Sequence, residues 1–321
     1  MDTNQRENAR KTAENRSRLW AWIIAARPQT LPAGAAPVIV GTAIAIDQEM
    51  VAIGPAIAAF IGAMLIQIGT NLANDYYDAK RGVDTNERAG FTRVTHSGLI
   101  APERVKIAMV ASFSAAIVVG FYLVYIGGVP IIIIGLVSVL CGIAYAGGPF
   151  PFGSYGLGDL FVFVFFGLIA TTGTYYVQAV ATIGDRFPLW VPANSIASEA
   201  IIAGIVIGCL TTAILVVNNL RDIETDAAAG KYTLAVLIGH RWSKVEYVLL
   251  LAIAYAIPLL MTLQSSNWFR GLPLVSIPYA VLITRTVVFP PDTQALNDAL
   301  EATGRLLVLF AILFAIGVMI S

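Results

Sequence analysis

Two short runs of the chain concentrate oxygen ligands: Asn71-Leu-Ala-Asn74-Asp75-Tyr-Tyr-Asp78-Ala-Lys-Arg-Gly82-Val-Asp84, and Asn218-Asn-Leu-Arg-Asp222-Ile-Glu-Thr-Asp226. Residues three and four apart share a helix face, so Asn71, Asp75 and Asp78 form one stripe and Asn218, Asp222 and Asp226 a second. Carboxylates at these intervals repel each other, and the C-terminal end of a helix, where both stripes are expected, is already negative. A counter-charge is required. Oxygen donors without neighbouring His or Cys disfavour zinc and suit a hard divalent cation. Magnesium takes one or two carboxylates and shares its other positions with phosphate oxygens and water. Two such stripes facing each other would make a two-metal clamp for a diphosphate. The plainer alternative is a set of solvated acids at a membrane boundary. The recurrence of Asn-x3-Asp at 71–75 and 218–222 argues against it, and hints at a duplication that brings both stripes to one cavity.

The elements that position these runs are membrane helices. Of 321 residues, 57% are apolar and 12% charged, where ordinary soluble chains carry about 25% charged residues; the mean hydropathy is +0.76. With 20 basic against 20 acidic side chains, nothing in the charge balance recommends a nucleic-acid binder or a chain dominated by a disordered charged tail. At roughly 20 apolar residues per crossing, the expected fold is all-α, with nine spans near 22–46, 52–74, 105–125, 129–146, 157–182, 199–217, 244–263, 272–289 and 303–320. Gly127, Gly128 and Pro130 divide the third from the fourth. Of the 20 Lys and Arg residues, only Arg186 and Arg270 fall on the side opposite the N-terminus. The N-terminus is therefore expected inside the cell and the C-terminus outside, in the cell membrane. Residues 1–18 are hydrophilic and lack an apolar core, so they read as a basic cytoplasmic tail preceding a single domain over 19–321. Cys141 and Cys209 lie in apolar runs without metal or redox spacing and read as packing residues.

Asn74-Asp75-x-x-Asp78 and Asp222-x-x-x-Asp226 resemble the paired motifs of the UbiA superfamily of intramembrane aromatic prenyltransferases, and the likeness extends over nearly the whole chain. It is closest to the branch that prenylates 1,4-dihydroxy-2-naphthoate in menaquinone biosynthesis. The stretches that carry it are Ala26-Arg27-Pro28-Gln29-Thr30-Leu31-Pro32, Asn71 to Asp84, Arg93-Val94-Thr95-His96-Ser97-Gly98-Leu99-Ile100, and Tyr145-Ala-Gly-Gly-Pro149 through Gly156-Leu-Gly-Asp159 to Gly173-Thr-Tyr-Tyr176. One departure is that five residues separate Asp78 from Asp84, where the superfamily has three.

The resemblance implies nine helices around a cavity open to the cytoplasm and laterally to lipid, and a Mg²⁺-dependent transfer with two ions bound beside the diphosphate. The donor is a polyprenyl diphosphate and the acceptor 1,4-dihydroxy-2-naphthoate, with loss of CO₂ and diphosphate. Asp75, Asp78, Asp84, Asp222 and Asp226 are the expected metal ligands, and Asn71, Asn74 and Asn218 orient ligands or phosphate oxygens. Arg27, Lys80, Arg81 and Lys231 either grip diphosphate or serve only the positive-inside rule. Tyr145 offers an aromatic face to an allylic cation, while Tyr175 and Tyr176 are expected to line the hydrocarbon tunnel. Arg93 and His96 sit in the loop that would recognise the acceptor. Two alternatives stay open: a sister enzyme acting on 4-hydroxybenzoate or another phenol, and an ion-coupled secondary transporter, whose acids belong nearer mid-bilayer.

Overall fold

The computed structural model describes residues 19–82, 93–148, 150–265 and 267–320; the tail 1–18 and Asp84 lie outside the described residues. Every regular element among these is helical, apart from one isolated bridge between Tyr155 and Tyr232. In chain order they are α1 (Leu19–Thr30), α2 (Pro32–Asp47), α3 (Ile53–Arg81), α4 (Pro102–Ala144), α5 (Gly158–Ile183), α6 (Ser198–Arg221), the short α7 (Ile223–Ala228), α8 (Leu234–Gln264), α9 (Trp268–Val288) and α10 (Thr293–Met319). Seven are long and apolar enough to cross a membrane, or eight when α1 and α2, bent by 54°, count as one broken crossing. Arg27 at that bend is left-handed (φ 53°), and Pro28 and Pro32 each open a new turn where no N–H donor is needed.

The expected count of nine spans and the observed helices diverge at α4. Pro102–Ala144 is a single helical run of 43 residues, but Gly128 within it has φ 63° and ψ −148°, outside the helical region. A side chain at Gly128 would run into the Pro188 carbonyl, so the position demands glycine for both backbone angle and space. The groups freed by the kink find partners: Val129 N–H donates to Pro188 O at 3.0 Å, and the Tyr176 hydroxyl donates to Gly127 O at 2.9 Å. Tyr176 thus braces the kink. Tyr175 is buried against the central core and donates to Gln48 Oε1 at 3.4 Å. Neither borders the cavity described below, which corrects the expectation that both line a tunnel.

The centre of the bundle is α6, with 78% of its apolar window buried against 17% for α4. Its small residues admit close neighbours. Gly204 and Gly208 lie against Gly167, where an added Cβ would meet the facing backbone. Gly167 sits in a π-helical stretch of α5, Phe163–Ile169. The wider turn brings the consecutive side chains Phe165 and Phe166 both to the cavity wall. Cys209 is buried in α6, whereas Cys141 borders the cavity.

Candidate active site

The first acidic run occupies the last turns of α3, where each polar side chain serves a different neighbour. Asn71 Nδ2 donates to Ala26 O at 2.9 Å and to Thr30 Oγ1 at 3.0 Å. Gln67, one turn earlier, donates to Thr30 O at 3.2 Å. These bonds satisfy backbone groups released by the α1–α2 bend and so fix Arg27, which borders the cavity. Asp75 is 1% exposed. Its Oδ2 accepts from Val94 N and its Oδ1 from Thr95 N, each at 3.0 Å. Asp78 faces the cavity and pairs with Arg81 (3.0 Å) and Arg93 (3.4 Å).

The second run closes α6 and continues through α7. Arg221 grips Asp222 with two bonds, Nε–Oδ1 2.8 Å and Nη2–Oδ2 2.7 Å. It also donates to Asn218 Oδ1 at 2.9 Å and Asn297 Oδ1 at 2.8 Å. Asp226 pairs with Lys231 at 3.4 Å. A backbone bond from Tyr232 N to Ser154 O (3.0 Å) draws the Lys231 segment against the 152–154 turn, so that Lys231 and Ser154 border the same cavity.

That cavity, of about 700 Å³, joins the two motifs: Asn71, Asn74 and Asp78 line it from α3, Asn218 from α6 and Lys231 from the loop after α7. Apolar residues of α4 and α5, among them Ile131, Gly135 and Phe165, line the remainder. Tyr145, just past the end of α4, lies between the motifs. It borders the cavity, within reach of the charges of Asp78 and Asp226. Its ring rests against two glycines: a Cβ on Gly153 would lie 2.8 Å from Cε1, and one on Gly158 3.1 Å from the hydroxyl.

Among the described residues, no three His, Cys, Asp or Glu side chains stand close enough to hold a metal between them. The two stripes do not form a closed cage of carboxylates: Asp78, Asp222 and Asp226 each pair with a cationic side chain, and Asp75 with backbone N–H groups. What faces the cavity still fits a hard divalent ion that leaves several positions to phosphate. Asp78 and the amides Asn74 and Asn218 border it, Asp226 sits beside Lys231, and Asn74 Oδ1 is buried without a hydrogen-bond partner among the described residues.

Other expected site residues fall elsewhere. Arg81 and Arg93 border the cavity with Arg27, whereas Lys80 and His96 are exposed and do not. Asp75, Asp222 and Asp226 are buried behind the lining rather than in it. Sequence reasoning passed over Asp159, which is 6% exposed with Oδ2 unpartnered among the described residues, and Arg221, counted only as a charge at the inner face. The available signal for Asp159 was an acid beginning an apolar run directly after Gly156-Leu-Gly158.

Comparison with known proteins gives concordant results. A family model described as the UbiA prenyltransferase family matches residues 35–311. A protein of Escherichia coli named 1,4-dihydroxy-2-naphthoate octaprenyltransferase is 34% identical over 317 residues, 97% of this chain and 98% of that one. The protein of the same name from Mycobacterium leprae is 34% identical over 294 residues, covering 92% and 94%. Among solved structures, the apo form of a UbiA homolog from Aeropyrum pernix aligns with a TM-score of 0.68 at 10% identity, covering 88% of this chain and 96% of that one. A UbiA homolog from Archaeoglobus fulgidus bound to DMAPP and Mg²⁺ aligns at 0.59 with 16% identity, covering 93% and 98%.

Proposed function

The chain belongs to the UbiA prenyltransferase family, and from that membership we propose that it transfers a polyprenyl group from polyprenyl diphosphate to 1,4-dihydroxy-2-naphthoate. The allylic C–O bond breaks, diphosphate leaves, the ring carbon bearing the carboxylate bonds to the prenyl C1, and CO₂ departs as the ring regains aromaticity, giving demethylmenaquinol. The observation that carries this reading is that one cavity is bordered by polar groups of both acidic runs and, over the rest, by apolar side chains. A diphosphate ester of a long hydrocarbon has that division of polarity.

Asp78 and Asp226, with the amide oxygens of Asn74 and Asn218, would hold Mg²⁺; when bound, the ion supplies positive charge that stabilises the departing diphosphate. Arg27, Arg81 and Lys231 orient the phosphate oxygens, with Arg suited to two-point contact. Tyr145 presents a ring face to charge developing at the allylic carbon. The apolar walls exclude water, which would otherwise consume the cation.

We also propose nine spans in the cell membrane, with the N-terminus inside and the C-terminus outside. The break in helical geometry at Gly128, and the assignment of all but two of the 20 Lys and Arg to one side under a nine-span count, support that arrangement. The test of function is an acceptor assay in detergent with a polyprenyl diphosphate and Mg²⁺. Prenylation with CO₂ release is expected from 1,4-dihydroxy-2-naphthoate and not from 4-hydroxybenzoate; the reverse preference would overturn the acceptor assignment.

A further inference from the structure

We propose that Asp75 is a latch for the segment Arg93–Ile100, positioning Arg93 over the polar end of the cavity, rather than a holder of the metal ion. The inference rests on the prenyl-transfer reading for the role of the cavity but not for the existence of the latch. Asp75 lies near the negative end of α3, where a buried carboxylate is costly unless donors surround it. The donors it has are two consecutive backbone N–H groups, Val94 and Thr95, one to each oxygen at 3.0 Å. Charge-assisted bonds of this kind are about twice as strong as neutral ones.

The segment is fastened by more than these bonds. Val94 is fully buried in a cluster with Leu72, Ala73, Ile100 and Val105, so it packs beside the same turn of α3 that carries Asp75. Ile100 N donates to Val94 O at 3.1 Å and Ser97 N to Arg93 O at 2.9 Å, closing the turn on itself. Arg93, next to the latched amides, borders the cavity and reaches Asp78 at 3.4 Å. Asp75 does not border the cavity. One turn of α3 therefore divides its acids: Asp75 faces the segment and Asp78 faces the ligand. The acceptor is an aromatic carboxylate under the proposed function, and Arg93 is the cation the latch would hold against it.

The experiment uses the full chain in detergent and the variants Asp75→Asn and Asp78→Asn. An amide side chain has one acceptor oxygen and presents N–H donors to the other backbone N–H. Exchange of the Val94 and Thr95 amides in Asp75→Asn is therefore expected to rise by roughly ten- to a hundredfold, the scale of a lost hydrogen bond to a charged group. Mn²⁺ binding in the presence of geranyl diphosphate, read by electron paramagnetic resonance, is expected to change by no more than about twofold in Asp75→Asn and to fall by at least about tenfold in Asp78→Asn. The KM for the aromatic acceptor is expected to rise while that for the polyprenyl diphosphate holds. Unchanged amide exchange, or loss of Mn²⁺ affinity matching that of Asp78→Asn, would overturn the proposal. If Asp75→Asn does not fold, wild-type protein stripped with EDTA decides the matter: both amides stay protected if Asp75 holds them, and rapid exchange there rejects the latch. Amide exchange and Mn²⁺ binding need no turnover, so an error in the acceptor assignment leaves both readouts intact.

Discussion

Arg221 and Asp222 are adjacent in sequence yet close a two-point ion pair on each other, at 2.8 and 2.7 Å, with side chains only 2% and 0% exposed. The arginine also holds Asn218 and Asn297, so it ties the end of α6 to α10 and sets the amide that borders the cavity. Removing one partner of such a pair strands the other charge, a loss of about 3–5 kcal/mol, whereas removing both costs far less. Arg221→Ala is therefore expected to lower the thermal unfolding midpoint markedly, and the double variant Arg221→Ala/Asp222→Asn to recover much of the difference. Thermal scans in detergent measure both, and a single variant as stable as wild type would contradict the pairing.

Asp78 borders the cavity, and Asp226, buried behind the lining, pairs with Lys231, which borders it. Replacing either with Asn preserves shape and removes charge. Each variant is expected to fold normally and to lose prenyl transfer by at least about a hundredfold, the usual effect of deleting one electrostatic contributor. EDTA should abolish wild-type transfer and added Mg²⁺ should restore it. Radiolabelled prenyl transfer is the measurement, and either variant turning over at the wild-type rate would remove that acid from the mechanism.

The seat of Tyr145 gives a separate test of its role. With Cε1 2.8 Å from where a Gly153 Cβ would stand, Gly153→Ala must displace the ring. A cation over an aromatic face is worth about 1–2 kcal/mol when desolvated. Tyr145→Leu is accordingly expected to lower kcat by about tenfold. Gly153→Ala should lower it by a smaller factor, with the KM for the polyprenyl donor unchanged in both. Steady-state kinetics decide; a Tyr145→Leu enzyme with wild-type kcat would reduce the residue to packing.

The two acidic stripes were legible in the sequence because helical spacing aligns residues three and four apart on one face whatever surrounds them. Spacing does not say what the face meets. The partners of Asp75 are backbone amides 19 and 20 positions further along, in a turn with no helical period. That of Asp222 is its immediate neighbour Arg221, which read only as a charge at the inner face. Lys80 follows Asp78 by two residues, a rotation that carries it off the cavity side and into exposure. Tyr175 and Tyr176 show the same limit. Hydropathy gives depth along a span, but successive residues point about 100° apart, and these two went to the core and to the α4 kink instead of the tunnel. Gly128 was readable because its neighbours Gly127 and Pro130 are both helix breakers.

The contact of Gly167 with α6 links the packing of the bundle to the shape of the cavity. A Cβ at Gly167 would stand 2.6 Å from Gly204 O and 2.7 Å from Gly208 N. These are backbone atoms that no rotamer change can move aside, so Gly167→Ala must separate α5 from α6. Overpacking of this kind costs about 1–3 kcal/mol. Because Phe165 and Phe166 precede Gly167 on the π-helical stretch and both border the cavity, the displacement of α5 also moves the apolar wall on that side. Gly167→Ala is expected to lower the unfolding midpoint and to raise the KM for long polyprenyl diphosphates more than that for geranyl diphosphate, whose short chain makes less use of the wall. Gly173, on the same helix with nothing within 4 Å of an added Cβ, is the control: Gly173→Ala should leave the midpoint unchanged or slightly raised, as helix propensity favours Ala over Gly by about 1 kcal/mol. Equal midpoints for the two variants would show that the α5–α6 contact is looser than the structure has it.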